Sequence, residues 1–259
     1  MEQGDRHLDG NRLYREAAEL LLASKRSVAF TGAGISVESG IPPFRGKDGL
    51  WSKYDPGFLE IGYFHRHPAE SWALIREIFY DFFGQAKPNA AHHVLADLES
   101  ASLLQAVVTQ NIDNLHQEAG SRVVHEFHGT AQYLVCEGCS ARIHVSKVDL
   151  NNLPPRCPTC NEVLKPDFVF FGEPIPESVR DASFEEAQRS DVFLVIGTTG
   201  EVMPASMVPF LAKQAGCRII EVNVSRSNYT DQITDLFLQD RASAAMSRLA
   251  QEIEAMRSE

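Results

Sequence analysis

Four of the five cysteines crowd into one stretch, as Cys136-x2-Cys139-x17-Cys157-x2-Cys160, and nothing else in the chain constrains its folding so tightly. Each CxxC turn brings two thiolates to one side. The 17-residue spacer, with its short ARIHV strand and Pro154-Pro155, lets the two turns close a tetrahedral four-thiolate site. Zinc suits four sulfur ligands, and with no position left for water the site is expected to be structural. Cys136, Cys139, Cys157 and Cys160 are therefore the expected Zn2+ ligands, in a small ribbon module inserted into a larger fold. Zinc ribbons also occur in nucleic-acid binders, but this segment is not notably basic and lacks interleaved aromatics. Cys217 stands alone beside the apolar RIIEVNV run and reads as a buried small hydrophobe.

The larger fold has ample material. With 259 residues, 44% of them hydrophobic, the chain can bury roughly 70–75% of its surface without a staple. A formal net charge of -11 and a pI near 5.3 argue against nucleic acid or an anionic membrane as the main partner, since the long-range field repels both. The same field favours a basic peptide. The stretch MEQGDRHLDGNRLYREA holds no apolar run resembling a signal-peptide core, and no apolar stretch approaches the ~20 residues of a spanning helix. Crowded cysteines suit a reduced compartment, so the expectation is a soluble cytoplasmic protein.

Leu13, Ala17, Leu20 and Leu21 recur at helical spacing over Asn11–Ser24, with Asp9 or Asn11 available as a cap. A strand over Ser27–Phe30 then runs into Thr31-Gly32-Ala33-Gly34-Ile35-Ser36, a glycine-rich turn that lets backbone approach a diphosphate and point amides at it. The third glycine of the dinucleotide fingerprint is missing, with Val37 in its place, and no acidic residue closes a clear second strand about 20 residues on. On the glycines alone, a ligand-free turn explains them as well. Residues 39–51, with Gly40, Pro42-Pro43, Gly46, Gly49, Phe44 and Trp51, predict an apolar loop that is a lid, or is pinned by its aromatics, or both.

Pro68–Phe83 reads as an amphipathic helix burying Trp72, Ile75, Phe79 and Phe82/Phe83, and Ala90–Glu99 as a helix whose His92 and His93 are surface or cap residues. Leu164–Pro174 predicts an edge strand open to an added peptide, or a plain buried strand. Helix Glu177–Ser190 leads to a buried strand over Asp191–Ile196, and a helix around Ala205–Ala215 leads to Arg218–Val224. This alternation predicts the α/β class, with a Rossmann-like doubly wound parallel sheet. Three of its strands end in TGAGIS, GTTG and NVS, small polar residues that describe a nucleotide cleft.

Between these runs, Val107–Gly129 reads as a buried strand (Leu103–Val108) breaking at Thr109-Gln110, a short helix, and a second strand ending at His128-Gly129. Asp113 as a helix cap, with Gln110 and Asn111 as turn formers, gives every polar residue there a structural explanation, and His116 and His128 are two of nine histidines.

Taken in order, GAGIS, SGIP-x-FRG, GLW, TQNID-x-LH, HG, the two CxxC turns, P-x-x-V-x-FGE, GTT with VMPA, and NVS cover about Phe30 to Ala242. This ordered set resembles the sirtuins of bacterial type, the NAD-dependent protein deacylases. The resemblance implies a Rossmann-like NAD-binding domain over 1–44, 86–132 and 172–259. It implies a cofactor loop and helical insertion over 45–85, and a zinc-ribbon module with a substrate-binding strand over 133–171. Gly32, Ala33, Gly34 and Ile35 would meet the diphosphate of NAD, with Phe44 and Arg45 in the mobile cofactor loop. Gln110, Asn111, Ile112 and Asp113 would line the ribose and nicotinamide pocket. Gly197, Thr198, Thr199, Asn223, Val224, Ser225 and Ala242 would serve the adenosine half, and Val169, Phe171, Gly172 and Glu173 would flank the acyl-lysine of a protein or peptide.

In the family the acyl oxygen attacks the anomeric carbon of the nicotinamide ribose and expels nicotinamide. The HG histidine then deprotonates a ribose hydroxyl, and the products are free lysine and O-acyl-ADP-ribose. His128 takes that part here, with Asn111 as the second catalytic residue, and an imidazole titrating near about 6.5 suits a general base. His116 drops to a structural helix residue. Pro43 stands where the family most often has aspartate, and Phe168 where it has valine. The tyrosine and arginine of the succinyl- and malonyl-lysine branch should fall near Ile75 and Ile78, which are apolar, so the resemblance implies a neutral acyl group, most simply acetyl. The competing readings are a deacylase for longer neutral chains, a protein ADP-ribosyltransferase using the same cleft, and a non-catalytic zinc-ribbon adaptor.

Overall fold

In the computed structural model, which describes residues 2–45 and 49–258, the apolar runs become the middle of a parallel sheet. Met1, Glu259 and residues 46–48 of the expected lid loop lie outside the described residues. The chain forms α1 (Glu2–Ala23), β1 (Ser27–Thr31), α2 (Ile61–Arg66), α3 (Pro68–Ile75) and α4 (Ala90–Ser100). Next come β2 (Ala106–Thr109), α5 (Leu115–Ala119), β3 (Val124–Glu126), β4 (Gly129–Cys136), β5 (Arg142–His144) and β6 (Leu164–Phe168). The rest forms α6 (Glu177–Arg189), β7 (Val192–Ile196), α7 (Met207–Gln214), β8 (Arg218–Asn223), β9 (Leu236–Gln239) and α8 (Ala242–Ser258).

The main sheet has the order β3-β2-β1-β7-β8-β9, with every pair parallel. From β1 the chain builds outward through β2 and β3 on one side, then through β7, β8 and β9 on the other. That reversal opens a crevice at the carboxyl ends of β1 and β7, where doubly wound sheets take their ligands. β1, β2 and β7 are buried along their whole length, which is why their sequences are continuously apolar. Ala29, Val107 and Leu194 pack with Leu21, Leu95 and Leu249 of α1, α4 and α8, whereas Phe30, Val108 and Phe193 pack with Ala187 and Val208 of α6 and α7.

A second, antiparallel sheet of order β5-β4-β6 starts where the first stops, since only Phe127 and His128 separate β3 from β4. Gly129 pairs with Phe168, so the chain enters and leaves this module side by side. At Gly129 φ is +76°, and an added Cβ would lie 2.4 Å from the Asp167 carbonyl oxygen, so a side chain there displaces β6. Trp72, Phe79, Phe168 and Phe170 form a separate core that joins this module to the helices after β1, with the Trp72 indole N–H donating to the Leu164 carbonyl at 2.8 Å.

Several elements differ from expectation. α1 begins at Glu2, upstream of Asp9 and Asn11, so neither caps it. The expected helix over Pro68–Phe83 is α3 followed by a π-helical turn, Arg76–Phe82, and a short 3-10 turn. The wider turn keeps Ile78 and Phe79 buried and turns Phe82 out to 57% exposure, so Phe82 does not belong to the apolar side. The strand expected from Leu103 starts at Ala106, because the amides of Leu103 and Leu104 close the end of α4 on the Leu98 carbonyl. The extended run after β6 is not a free edge throughout: Phe171 donates to the Leu59 carbonyl at 2.9 Å and accepts from Ile61 at 3.0 Å. β9 and α8, which complete the sheet and cover it, have no counterpart among the expected elements. Cys217 is buried, as expected of a small hydrophobe. Among the described residues no helix is long and apolar enough to cross a membrane.

Candidate active site

The two glycine-rich turns meet at the crevice and lock onto one another. Gly32 donates its N–H to Ile196 O at 3.0 Å, and Gly34 to Gly197 O at 2.8 Å. A Cβ on Gly34 would sit 2.6 Å from Gly197 Cα, and one on Gly197, whose φ is +63°, would sit 2.4 Å from Ile35 N. The glycines are thus required by backbone contact between the two turns, and the amides of Gly32 and Gly34 are engaged by carbonyls at the end of β7 and just past it. Ile35 is buried beneath the turn. Thr198 takes the Gln110 side-chain N–H on its hydroxyl at 3.0 Å, and its carbonyl takes the Asn223 side-chain N–H, also at 3.0 Å. Thr199, Val224 and Ser225 are exposed at the same rim, and Ala242 is buried at the start of α8.

Beyond β2, Asn111 is 5% exposed, and its side chain donates to Gly32 O at 3.3 Å and to Ser36 Oγ at 3.1 Å. Ser36 Oγ in turn donates to Asp113 Oδ2 at 2.7 Å, and Asp113 Oδ1 accepts the Leu115 N–H at 3.0 Å; the cap position of α5 is Asn114, one residue after the expected Asp113. Burial pushes the Asp113 carboxyl up, against the pull of these hydrogen bonds. Behind them lies a layer that carried no functional expectation. The Thr31 hydroxyl donates to Thr109 Oγ1 at 2.8 Å and lies 2.9 Å from His116 Nε2, while the His116 and His92 rings are 4.9 Å apart. His92 is fully buried rather than on the surface, although its Nδ1 does serve the cap by accepting the Asn89 N–H at 3.3 Å. His93 is exposed.

Burial takes His92 down to about 4, helped by the charge of His93, and takes His116 down to about 3, helped by that of His92. In the unfolded chain both titrate near about 6.5, so below that pH the unfolded state binds protons that the folded state does not. Stability present above that value is therefore lost as the pH falls towards about 4, by roughly 1.4 kcal/mol per pH unit for each histidine. Urea midpoints measured across this range should fall steadily with acidity, and less steeply in a His116→Gln variant. Identical slopes for the two proteins would refute the assignment.

His128 lies at the junction of the two sheets, with Nδ1 3.0 Å from the Gln110 carbonyl oxygen. A carbonyl can only accept, so Nδ1 carries the proton and Nε2 keeps its lone pair. Burial pushes this imidazole down, partly offset by the Gln110 bond, which leaves Nε2 able to take a proton at neutral pH. The His128 carbonyl accepts the Val169 N–H at 2.8 Å, tying the histidine to the strand that follows β6.

A cavity of about 430 Å³ brings His128, Gln110 and Ile112 together with Val169, Phe171, Gly172 and Glu173, and also with Phe44 and Arg45. Its inner wall is apolar, built from Trp51, Leu59, Phe79, Phe168 and Phe170. Phe79, from the π-helical turn, reaches the cavity, whereas Ile75 and Ile78 stay in the core. The loop bearing Phe44 is fastened by Trp51 N–H to Phe44 O at 3.0 Å and Leu50 N–H to Pro43 O at 2.9 Å, with the Phe44 and Trp51 rings 5.3 Å apart. In its described part the loop is pinned by its aromatics. Pro43 needs only its carbonyl in this arrangement.

The four clustered cysteines have Sγ atoms all within 4.8 Å of one another, with Cys136 to Cys160 at 3.3 Å and Cys139 to Cys157 at 3.6 Å. Zn–S bonds of about 2.3 Å in a tetrahedron require sulfurs roughly 3.8 Å apart, so the donor set fits zinc. The two knuckles are built alike. Cys136 accepts from Ser140 N–H at 2.8 Å and Cys157 from Asn161 N–H at 2.9 Å, and Ser140 and Asn161 both have left-handed backbones, with φ of 59° and 66°. Backbone amides of Cys160 and Thr159 pull the Cys157 thiol down to about 6, towards the thiolate that a metal needs.

The Sir2 family matches residues 32–204 of this chain. The NAD-dependent protein deacylase of Pyrococcus abyssi is 43% identical over 244 residues, 92% of this chain and 97% of that one. The chain belongs to the Sir2 family. A second relative, the NAD-dependent protein deacylase of Aeropyrum pernix, is 45% identical over 241 residues, covering 91% and 95% of the two chains. The solved Sir2 complex with a p53 peptide and NAD+ superposes with a TM-score of 0.86 at 35% identity, over 93% of this chain and 98% of that one. Another Sir2 enzyme gives a TM-score of 0.87 at 43% identity over 94% and 98%.

Proposed function

We propose that the protein is an NAD-dependent protein lysine deacylase, a deacetylase first of all, giving free lysine, nicotinamide and O-acetyl-ADP-ribose. The observation that carries this reading is His128, whose Nδ1 is committed to the Gln110 carbonyl and whose Nε2 is left basic on the wall of a cavity shared with Val169 and Gly172. When bound, NAD supplies an ADP-ribosyl group with nicotinamide as its leaving group. Asn111 and Asp113, held by Ser36, would meet the ribose and nicotinamide end, and Gln110 would orient the ribose. Ala33 and Ile35 with the two flanking glycines, and Phe44 with Arg45, would enclose the diphosphate. Gly197, Thr198, Thr199, Asn223, Val224, Ser225 and Ala242 would receive the adenosine half. His128 Nε2 would accept the proton of the attacking hydroxyl, and Val169, Phe171, Gly172 and Glu173 would flank the acyl-lysine. Four unbridged cysteines gathered for zinc also suit a reducing compartment such as the cytoplasm.

The apolar inner wall supports a neutral acyl group. A panel of acetyl-, butyryl-, longer-chain and succinyl-lysine peptides with NAD tests both activity and preference, read as nicotinamide and O-acyl-ADP-ribose released. The neutral chains should be turned over at least ~10-fold better than succinyl, because a carboxylate against Phe79 and Phe168 meets apolar side chains, and comparable turnover of succinyl would mean that Arg45 or Arg180 of the same cavity reaches it. No NAD-dependent turnover on any peptide would sink the reading. Labelled ADP-ribose joined to protein without acylated substrate would replace it with an ADP-ribosyltransferase.

A further inference from the structure

Lys165 is only 5% exposed, although it carries a charge, and it does not line the cavity that holds His128. Its ammonium makes three contacts of hydrogen-bond length: to Phe168 O at 2.8 Å, to Pro166 O at 3.0 Å and to Glu173 Oε2 at 3.0 Å. It also sits 4.3 Å from the centre of the Phe170 ring. The same Glu173 oxygen accepts the Phe170 N–H at 2.7 Å, and Glu173 N–H donates back to Phe170 O at 3.0 Å. An ion pair between a buried ammonium and a partly exposed carboxylate therefore ties together residues 166, 168, 170 and 173, which bracket Val169, Phe171 and Gly172.

We propose that Lys165 is a positioning residue: through Glu173 it clamps the extended segment Val169–Gly172 in the shape that receives acyl-lysine. This rests on the reading above that this segment meets the substrate. An ammonium taken this far out of water seldom stabilises a fold more than an apolar side chain of the same size would, and its contacts here specify a geometry. The clamp also has a firm base. Lys165 pairs with Val135 of β4, next to the pairing of Leu164 with Cys136, so the strand that holds the cation is anchored at the metal module. Glu173, expected to flank the substrate, lines the cavity and at the same time directs Oε2 onto Lys165 and the Phe170 amide.

The test uses the full zinc-loaded chain. Lys165→Met should raise KM for an acetyl-lysine peptide about tenfold and leave KM for NAD within about twofold. Equal changes in both constants, or none, overturn the proposal. Adding Glu173→Gln to Lys165→Met removes the stranded carboxylate and should recover part of the peptide KM, whereas additive losses would show that Glu173 acts alone. Amide exchange reports on the clamp independently of turnover. In Lys165→Met, or in Glu173→Gln if the lysine variant does not fold, the Phe170 and Glu173 amides should exchange at least ~10-fold faster while those of β1 and β2 are unchanged. Unaltered exchange rules out the clamp, whereas a wild-type chain inactive on every peptide rules out only the deacylase reading.

Discussion

Replacing Cys157 with serine is expected to unfold the module between Gly129 and Phe168 and to lower the melting temperature by at least ~10 °C. Structural zinc contributes about 10–16 kcal/mol of apparent binding energy in isolated fingers, comparable to the whole stability of an ordinary domain. The shared core with Trp72 and Phe79 secures β4 and β6, but the knuckles themselves have little regular structure: β5 has three residues, and much of the chain between β5 and β6 is irregular. Cys157 is the informative position because it is buried, unlike the exposed Cys139 and Cys160, and the neighbouring amides already favour its thiolate. Zinc content and a thermal melt measured on the same sample check the prediction, and a chelator should reproduce the loss in the parent. A serine variant that kept its metal and melted like the parent would contradict a structural role. The damage should also reach the catalytic side, because β4 runs directly from His128 to Cys136.

His128→Ala is expected to lower kcat for deacylation by about 10²–10⁴-fold, the range a positioned general base contributes, while NAD still binds. The backbone carbonyl that accepts Val169 N–H remains in the variant, so the strand beside the cavity keeps its tie. Because burial pushes the imidazole down, the base form persists into mild acid, and the acid limb of the parent's pH profile should lie below the ordinary histidine value. Steady-state rates on an acetyl-lysine peptide, together with NAD binding measured by calorimetry, separate the step from the site. Unchanged turnover would remove His128 from the mechanism, and parent and variant alike binding NAD without turnover would restore the adaptor reading.

Much of this was legible in the residues. Continuous apolar runs ending in small polar residues suffice to predict a doubly wound sheet, and two CxxC pairs at a 17-residue spacing suffice for a metal module, because both signals are local. What was not legible depends on contacts distant in sequence. The amides of Gly32 and Gly34 are spent on β7, some 160 residues later, and no feature of TGAGIS could reveal that. Of the two readings open for His92, surface or cap, the cap holds, and its burial follows from its place: it is the third residue after a capping asparagine, between Ala91 and Leu95 on the buried side of α4. The π-helical turn shifted the helix wall so that Phe79 reaches the cavity instead of Ile75 or Ile78, and no helical periodicity predicts an inserted residue. Lys165 owes its burial to Phe168, Phe170 and Glu173, contacts that the residues around Pro166 do not announce.

The pairing of Gly129 with Phe168 closes the metal module at its base, like the neck of a bag. The ends of a closed loop stay together at an entropic cost that grows only with the logarithm of its length. What lies between the two knuckles could therefore lengthen, shorten or be exchanged for another metal-held ribbon with little movement of the neck, and His128 is the residue at the neck. A chimera carrying a foreign four-cysteine ribbon between Cys136 and Cys160 should keep its basic nitrogen in register. In such a fold the ribbon is free to diversify towards new protein surfaces while the chemistry beside it stays where it was.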